Sequence, residues 1–248
     1  LRLWFQAAWY VTSQKFGGNA LGLQRVLGLG SYQTAWTWLH KLRNAMVRPD
    51  RECLSGRVEV DETYVGGQEA GVSGRFTEQK AVVAVAVEVH QPKGFGRVRL
   101  QRVPDVSATS LVGFVEDVVA PGSTILTDGW KSYDSLPQHG YPREKIVLAS
   151  SGDPAHVALP GVHRVASLLK RWLLGTHQGA VSNKHLDYYL DEFTFRFNRR
   201  ASRARGLLFY RLLQQAVQTE PLRYRQIVDR SDSPFDLTGQ SPARERSG

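Results

Sequence analysis

The chain has almost no cysteine: Cys53 is the only one in 248 residues. An intramolecular disulfide is therefore excluded, as is a zinc module built from several thiolates, and the chain reads as cytoplasmic. Long apolar runs are missing as well. No stretch approaches the roughly 20 residues needed to span a bilayer. Arg2, Gln6 and Gln14 interrupt the amino-terminal segment, so the sequence predicts neither a membrane span nor a signal peptide. Acids are in short supply: 23 Asp and Glu stand against 32 Lys and Arg, for a formal charge of +9 and a sequence pI near 9.8. Such an excess points to a polyanion, most often nucleic acid, the alternative being a basic globular protein without one. The first residue is Leu1 rather than Met, so the chain reads as a fragment. The rest is ordinary: 42% apolar and 22% charged residues suffice for one domain, or for one domain with a small companion.

Residues 1–48 carry helical periodicity. Leu3, Trp4, Ala7, Ala8 and Val11 keep helical spacing, Gly17-Gly18 breaks it, and Leu21, Leu23, Val26 and Leu27 form a second run closed by Gly28-Leu29-Gly30. Ser31 is a suitable N-cap for a third run, in which Tyr32, Ala35, Trp36, Leu39 and Leu42 share one face. Two short helices joined by a glycine turn suggest a helix-turn-helix whose second helix offers Gln33, Thr37, Lys41 and Arg43 to DNA. An αα-hairpin packed on the next domain is the structural alternative.

After a polar joint from Asp50 to Gly56 the period changes to two. Residues 57–65 alternate, 80–89 are nearly all apolar, as a central strand covered on both faces would be, and 97–103 alternate again. A helix is expected over 107–119, with Leu111, Phe114, Val115 and Val118 on one side, followed by a strand ending at Asp128. This order predicts an α/β fold with a mixed sheet flanked by helices, in which the first and fourth strands lie side by side. The segment VEVDETYVGG (58–67) places Asp61 and Glu62 near the end of one strand, and STILTDGW (123–130) places Asp128 at the end of another. Carboxylates at neighbouring strand tips suit hard divalent cations. Adjacent strand residues point to opposite faces, so Asp61 is preferred over Glu62.

From Pro160 the chain is helical and increasingly basic. One helix is expected over 162–174, ended by Gly175; Ser182 caps another that runs through Leu186, Tyr189, Leu190, Phe193 and Phe197. Between positions 196 and 211 stand Arg196, Arg199, Arg200, Arg203, Arg205 and Arg211 without one acid. Guanidinium forks at that density suggest a phosphate-backbone track, with a solvated basic face as the alternative. Lys131 and Arg171 are further candidate phosphate contacts. Glu192 is a reserve metal-proximal acid whose structural role would be a bond to Arg196 four residues on. His177 and His185 read as surface or capping residues. Trp130 and Tyr133 read as core aromatics, with stacking on a base as the alternative. The tail after Asp229, rich in Ser, Pro, Gly, Arg and Asp, predicts disorder.

Four blocks together resemble a known family: VDETYVGG (60–67), TDGWKSY (127–133), HRVASLLKRWLLGTH (163–177) and YLDEFTFRFNRR (189–200). In that order they resemble the ISXO2-like group of bacterial insertion-sequence transposases, within the DDE class. The resemblance implies a ribonuclease-H-like catalytic domain over 49–210, a helix-turn-helix-like region over 1–48 and a helical extension with a basic tail over 211–248. It also implies cleavage and strand transfer at transposon ends, acting on double-stranded DNA as a homo-oligomer with two divalent ions, Mg²⁺ or Mn²⁺. Members carry a zinc ribbon ahead of the helix-turn-helix, for which this chain has no cysteine pair.

In DDE enzymes of this sort an acid commonly precedes a Lys or Arg by seven residues on one helix. Counting back from Lys170 gives His163, which lies 35 residues after Asp128. The resemblance thus implies a catalytic set of Asp61, Asp128, His163 and Lys170, with the first three as metal ligands. Imidazole is softer than carboxylate and uncharged, so such a site should favour Mn²⁺ more than an all-acid one. Leu168 stands where relatives have Asn and reads as a packing residue. A nuclease that cuts without joining, and a DNA-binding remnant with impaired chemistry, remain alternatives.

Overall fold

A computed structural model describes residues 1–48, 51–66, 80–90, 94–146, 159–179 and 181–229. Gly67 and the tail expected to be disordered lie outside the described residues. Among the described residues five strands form one sheet: β1 (Arg57–Val65), β2 (Ala81–Val89), β3 (Phe95–Val103), β4 (Thr124–Thr127) and β5 (Arg143–Lys145), in the order β3-β2-β1-β4-β5. The β1–β2 and β2–β3 pairs are antiparallel, and β1–β4 and β4–β5 are parallel. The sheet is therefore mixed, with the first strand beside the fourth, as the sequence predicts. β5 escapes prediction because its three residues, Arg143, Glu144 and Lys145, carry no apolar signal; it is a short, charged edge.

β2 shows why an uninterrupted apolar run marks a covered strand. Val83, Val85 and Val87 pack beneath α5 (Pro160–His177) and α6 (Leu186–Asn198), while Val82, Ala84 and Ala86 pack beneath α4 (Ala108–Val118). Each face meets a layer of helices, so neither tolerates a polar residue. β1 divides differently. Val58 and Val60 enter the core under α4, which leaves Glu59 and Asp61 on the face beneath α5. Among the described residues, no helix is long and apolar enough to cross a membrane.

The amino-terminal helices α1 (Arg2–Ser13), α2 (Ala20–Leu27) and α3 (Tyr32–Asn44) build a third core with α6 and α7 (Arg205–Ala216). Ala7, Val11, Leu23, Ala35 and Leu39 meet Phe195, Leu208 and Leu212 there. Beside that core the Glu192 carboxylate, fully buried, accepts from Arg43 Nε of α3 and from Arg196 Nε, both at 2.8 Å. Arg196 also donates to the carbonyls of Val11 and Gln14 at the end of α1. A Cβ on Gly17, whose φ is +79°, would stand 2.6 Å from Glu192 Oε1, so a side chain there collides with the ion cluster.

These contacts correct several expectations. Arg43 does not face DNA: it is 2% exposed and lies over the Tyr189 ring at 4.1 Å. It falls one turn after Leu39 and two after Ala35, on the apolar stripe of α3 rather than its outer face. Thr37 is buried too, its hydroxyl donating to the Gln33 carbonyl at 2.7 Å. Gln33 is exposed and bonds Tyr224 of α8 (Tyr224–Val228), and Lys41 is half-buried. Arg196 spends its donors inward. His177 is no surface residue, since its ring meets Trp172 and Tyr189 edge to face, each at 4.7 Å. Burial first, then Arg43, push its pKa down from 6.5 to about 4. Tyr133, by contrast, lies in the core under α4 as its sequence reading expects.

Glu192 feels a burial that raises its carboxyl, yet Arg196 and Arg43 outweigh it and hold the group below its ordinary value. Glu192 and His177 both have depressed folded-state values. Their contribution to stability is complete above the unfolded values and drains as pH falls through the folded ones. Urea denaturation should show stability declining from about pH 6.5 toward pH 4, and His177→Gln should flatten the upper part of that decline. Glu192→Gln should cost about 3–5 kcal/mol, because it leaves two guanidiniums without their counter-charge.

Candidate active site

The β1–β4 ladder pairs Arg57 with Thr124, Val58 with Ile125 and Glu59 with Leu126. Continued two residues, the same register sets Asp128 across from Asp61. Neighbouring strands are about 4.8 Å apart, so the two carboxylates arise from adjoining positions. Asp128 follows the last residue of β4 and opens a tight turn. Its Oδ1 accepts from the Trp130 amide at 2.9 Å, and its carbonyl accepts from Arg143 Nη2 at 2.9 Å. Arg143 also donates to Thr127 Oγ1 and to the Trp130 carbonyl, which fixes the turn from the β5 side.

The third element is the start of α5. Pro160 fills its first turn, where a missing amide costs nothing. Glu59 is two residues before Asp61 and only 3% exposed, and its Oε2 accepts from the Val162 amide at 3.0 Å. The Gly161 amide also donates to this carboxyl. Burial raises the Glu59 pKa, and the two amides oppose that rise without cancelling it. A strand carboxylate thus caps a helix about 100 residues away in sequence. The approach is close: a Cβ on Gly161 would lie 2.7 Å from Glu59 Oε2 and 3.0 Å from the Phe95 ring.

This junction delivers His163 over β1. Its Nε2 stands 4.0 Å from Asp61 Oδ2, and both residues line a depression of about 280 Å³ with Thr63, Val162, Ala166 and Lys170. Lys170, two turns beyond His163, reaches the same depression; partial burial, then Lys80, lower its pKa. Glu62 bonds the Tyr133 hydroxyl at 3.1 Å. Burial, then Glu62, Asp61 and Asp128, raise the Tyr133 phenol well above its usual value, so three carboxylates act on one buried group.

Not every expected ligand is gathered. Among the described residues, no group of three or more His, Cys, Asp or Glu side chains could hold a metal ion. Asp61 and His163 come together as a pair, while the Asp128 carboxylate is engaged in its own turn. The arginine track also divides. α6 ends at Asn198, so Arg199 and Arg200 leave its helical register. Arg199 lies over Phe195 at 4.1 Å, and Arg200 lies over Phe197 at 4.2 Å and donates to the Gly96 carbonyl. Lys131, Arg171 and Arg203 are exposed, and Leu168 packs against the core under α5.

The profile of the ISXO2-like transposase domain matches residues 53–198. The chain belongs to that family. Its matched span takes in both strand-end acids, His163 and Lys170. Two relatives agree in name. The "Uncharacterized protein in transposable element ISH50" of Halobacterium salinarum is 29% identical over 215 residues, an alignment covering 79% of this chain and 69% of that protein. An "Uncharacterized transposase-like protein" of Haemophilus influenzae is 27% identical over 96 residues, 39% of this chain and 76% of the other.

Glu59 and Arg143 are the residues that sequence reasoning misses in this chain. Glu59 sits in an alternating strand where a polar residue passes for a solvent-facing one, and no local signal marks its distant partner. Since its folded-state pKa is raised, the stability it adds is present below the unfolded value and lost as pH rises through the folded one. Glu59→Gln keeps an acceptor for α5 and should match or exceed wild-type stability at pH 7. Glu59→Ala should lose about 1 kcal/mol with the cap. Urea denaturation of the two variants side by side checks this.

Proposed function

We propose that this chain catalyses metal-dependent DNA strand cleavage and strand transfer at the ends of an insertion sequence. One observation carries the proposal: parallel pairing of β1 and β4 sets Asp61 beside the position of Asp128, under a helix that holds His163 at 4.0 Å from Asp61. Family membership supports the DNA-directed chemistry.

A carboxylate oxygen and an imidazole nitrogen at this separation, with a second carboxylate on the adjoining strand, suit Mg²⁺ or Mn²⁺ in donor chemistry. Asp61, Asp128 and His163 would hold the ions, two in the proposed mechanism. Such ions supply Lewis acidity at the phosphoryl group. The chain's own residues do the positioning. Glu59 fixes the helix start, and with it His163; Arg143 fixes the turn that carries Asp128. Lys170, at the far wall of the depression, would steady a phosphate oxygen. Exposed Gln33 and the half-buried Lys41 on α3, with Lys131, Arg171 and Arg203, would contact duplex DNA of the terminal repeats and target. The protein would act as a homo-oligomer in the bacterial cytoplasm, at the nucleoid when bound.

The engaged Asp128 carboxylate, and the lack of a three-donor group among the described residues, favour a second reading: a DNA-binding transposase with impaired chemistry. Cleavage of a duplex carrying the element's own ends decides between them. Under the proposal, Asp61→Asn and Asp128→Asn abolish cleavage while sparing binding, and His163→Ala lowers it severely. His163→Glu restores activity and improves use of Mg²⁺ relative to Mn²⁺, since an anionic oxygen replaces a neutral nitrogen. Full activity in a folded His163→Ala variant removes His163 from the site. Joining of pre-cut ends to target DNA separates a transposase from a nuclease that only cuts.

A further inference from the structure

A groove of about 550 Å³ runs along the outer edge of the sheet, away from the acids. Six arginines from four separate segments line it: Arg48 and Arg51 after α3, Arg97 and Arg99 on β3, Arg199 after α6, and Arg211 on α7. Among the described residues Glu52 and Asp191 are the acids that line it, so cations prevail there. Arg97 and Arg99 are anchored. Arg97 pairs with Glu88 and Glu52, and Arg99 donates to the carbonyls of Val98 and Glu52 at 3.0 and 2.6 Å. Arg48 and Arg211 are exposed at the rim and Arg51 is half-exposed.

The cations press on one another. Burial first, then Arg51 and Arg97, bring Arg99 down to about 10, and burial, then Arg211 and Arg48, lower Arg199. Guanidiniums partly withdrawn from water and crowded by like charge favour a multiply charged anion, and their planar forks match phosphate oxygens. The groove is separate from the depression at Asp61. Val98 and Leu100 pack under α5 and α6, so Arg97 and Arg99, which alternate with them, issue from the opposite face of β3. Leu100 pairs with Val85 and Val85 with Asp61, which puts this edge two strand spacings, about 10 Å, from the acid.

We infer that the groove is a docking site for the phosphodiester backbone of duplex DNA, apart from the acids. This rests on the transposase reading and adds a surface to it.

The test is fluorescence anisotropy with a labelled random-sequence duplex of about three helical turns, titrated over a range of salt. Each phosphate neutralised contributes about 0.9 to the slope of log affinity against log salt. The triple variant Arg48→Ser, Arg51→Ser, Arg211→Ser should lose about two to three units of slope. The corresponding triple Lys variant should keep the wild-type slope. Should the Ser triple fail to fold, Arg48→Ser and Arg211→Ser singly should each lower the slope by about one. A slope unchanged in the folded Ser variants, with wild-type binding intact, overturns the groove alone. A wild-type chain that neither binds nor cuts duplex DNA overturns the groove and the transposase reading together.

Discussion

A single buried carboxylate holds the amino-terminal helices of this chain to a helix that lies against its sheet. Glu192 of α6 carries Arg43 from α3 on one oxygen and Arg196 on the other, and Arg196 passes the connection to the last carbonyls of α1. Removing any one charge strands the others away from water, which is why such clusters resist piecemeal change. The helices beside the sheet are therefore not a loosely tethered module. Gly17 belongs to the same device, because the turn after α1 passes within a Cβ's width of the carboxylate.

The cluster also changes how the net charge should be read. The excess of Lys and Arg is an average, and several guanidiniums are committed indoors: Arg43 at 2% exposure and Arg102 at 8%, the latter near Asp187. Arg196 belongs with them. A run of arginines in sequence thus overstates the cationic surface in one place, whereas arginines scattered over four segments build a denser one at the β3 edge.

The sheet was legible because its signals are local. Alternation marks β1, a continuous apolar run marks the doubly covered β2, and a glycine turn marks the end of β4, so the neighbouring strand-end acids follow from topology alone. The opposite facing of Glu62 follows from the two-residue period, and its bond to Tyr133 agrees. Other features have no local signature. β5 is three charged residues that form a strand only because β4 offers an edge. Glu59 looks like any polar residue of an amphipathic strand until α5 is placed against it. Arg43 was misplaced because a charged residue on an apolar stripe is read as outward-facing when its partner is 149 residues away.

The β1–β4 pairing joins residues 67 apart, with β2, β3 and α4 between them. In energy that separation matters little, since each doubling of a closed loop costs only about 0.6 kcal/mol. In time it matters more, because non-local parallel pairing is slow to form. The two acids cannot become neighbours until the chain has been made through Asp128, and His163 joins them only when α5 has docked on Glu59. A ribosome-bound chain at an earlier stage carries Asp61 on an unfinished sheet, with neither His163 nor Asp128 beside it.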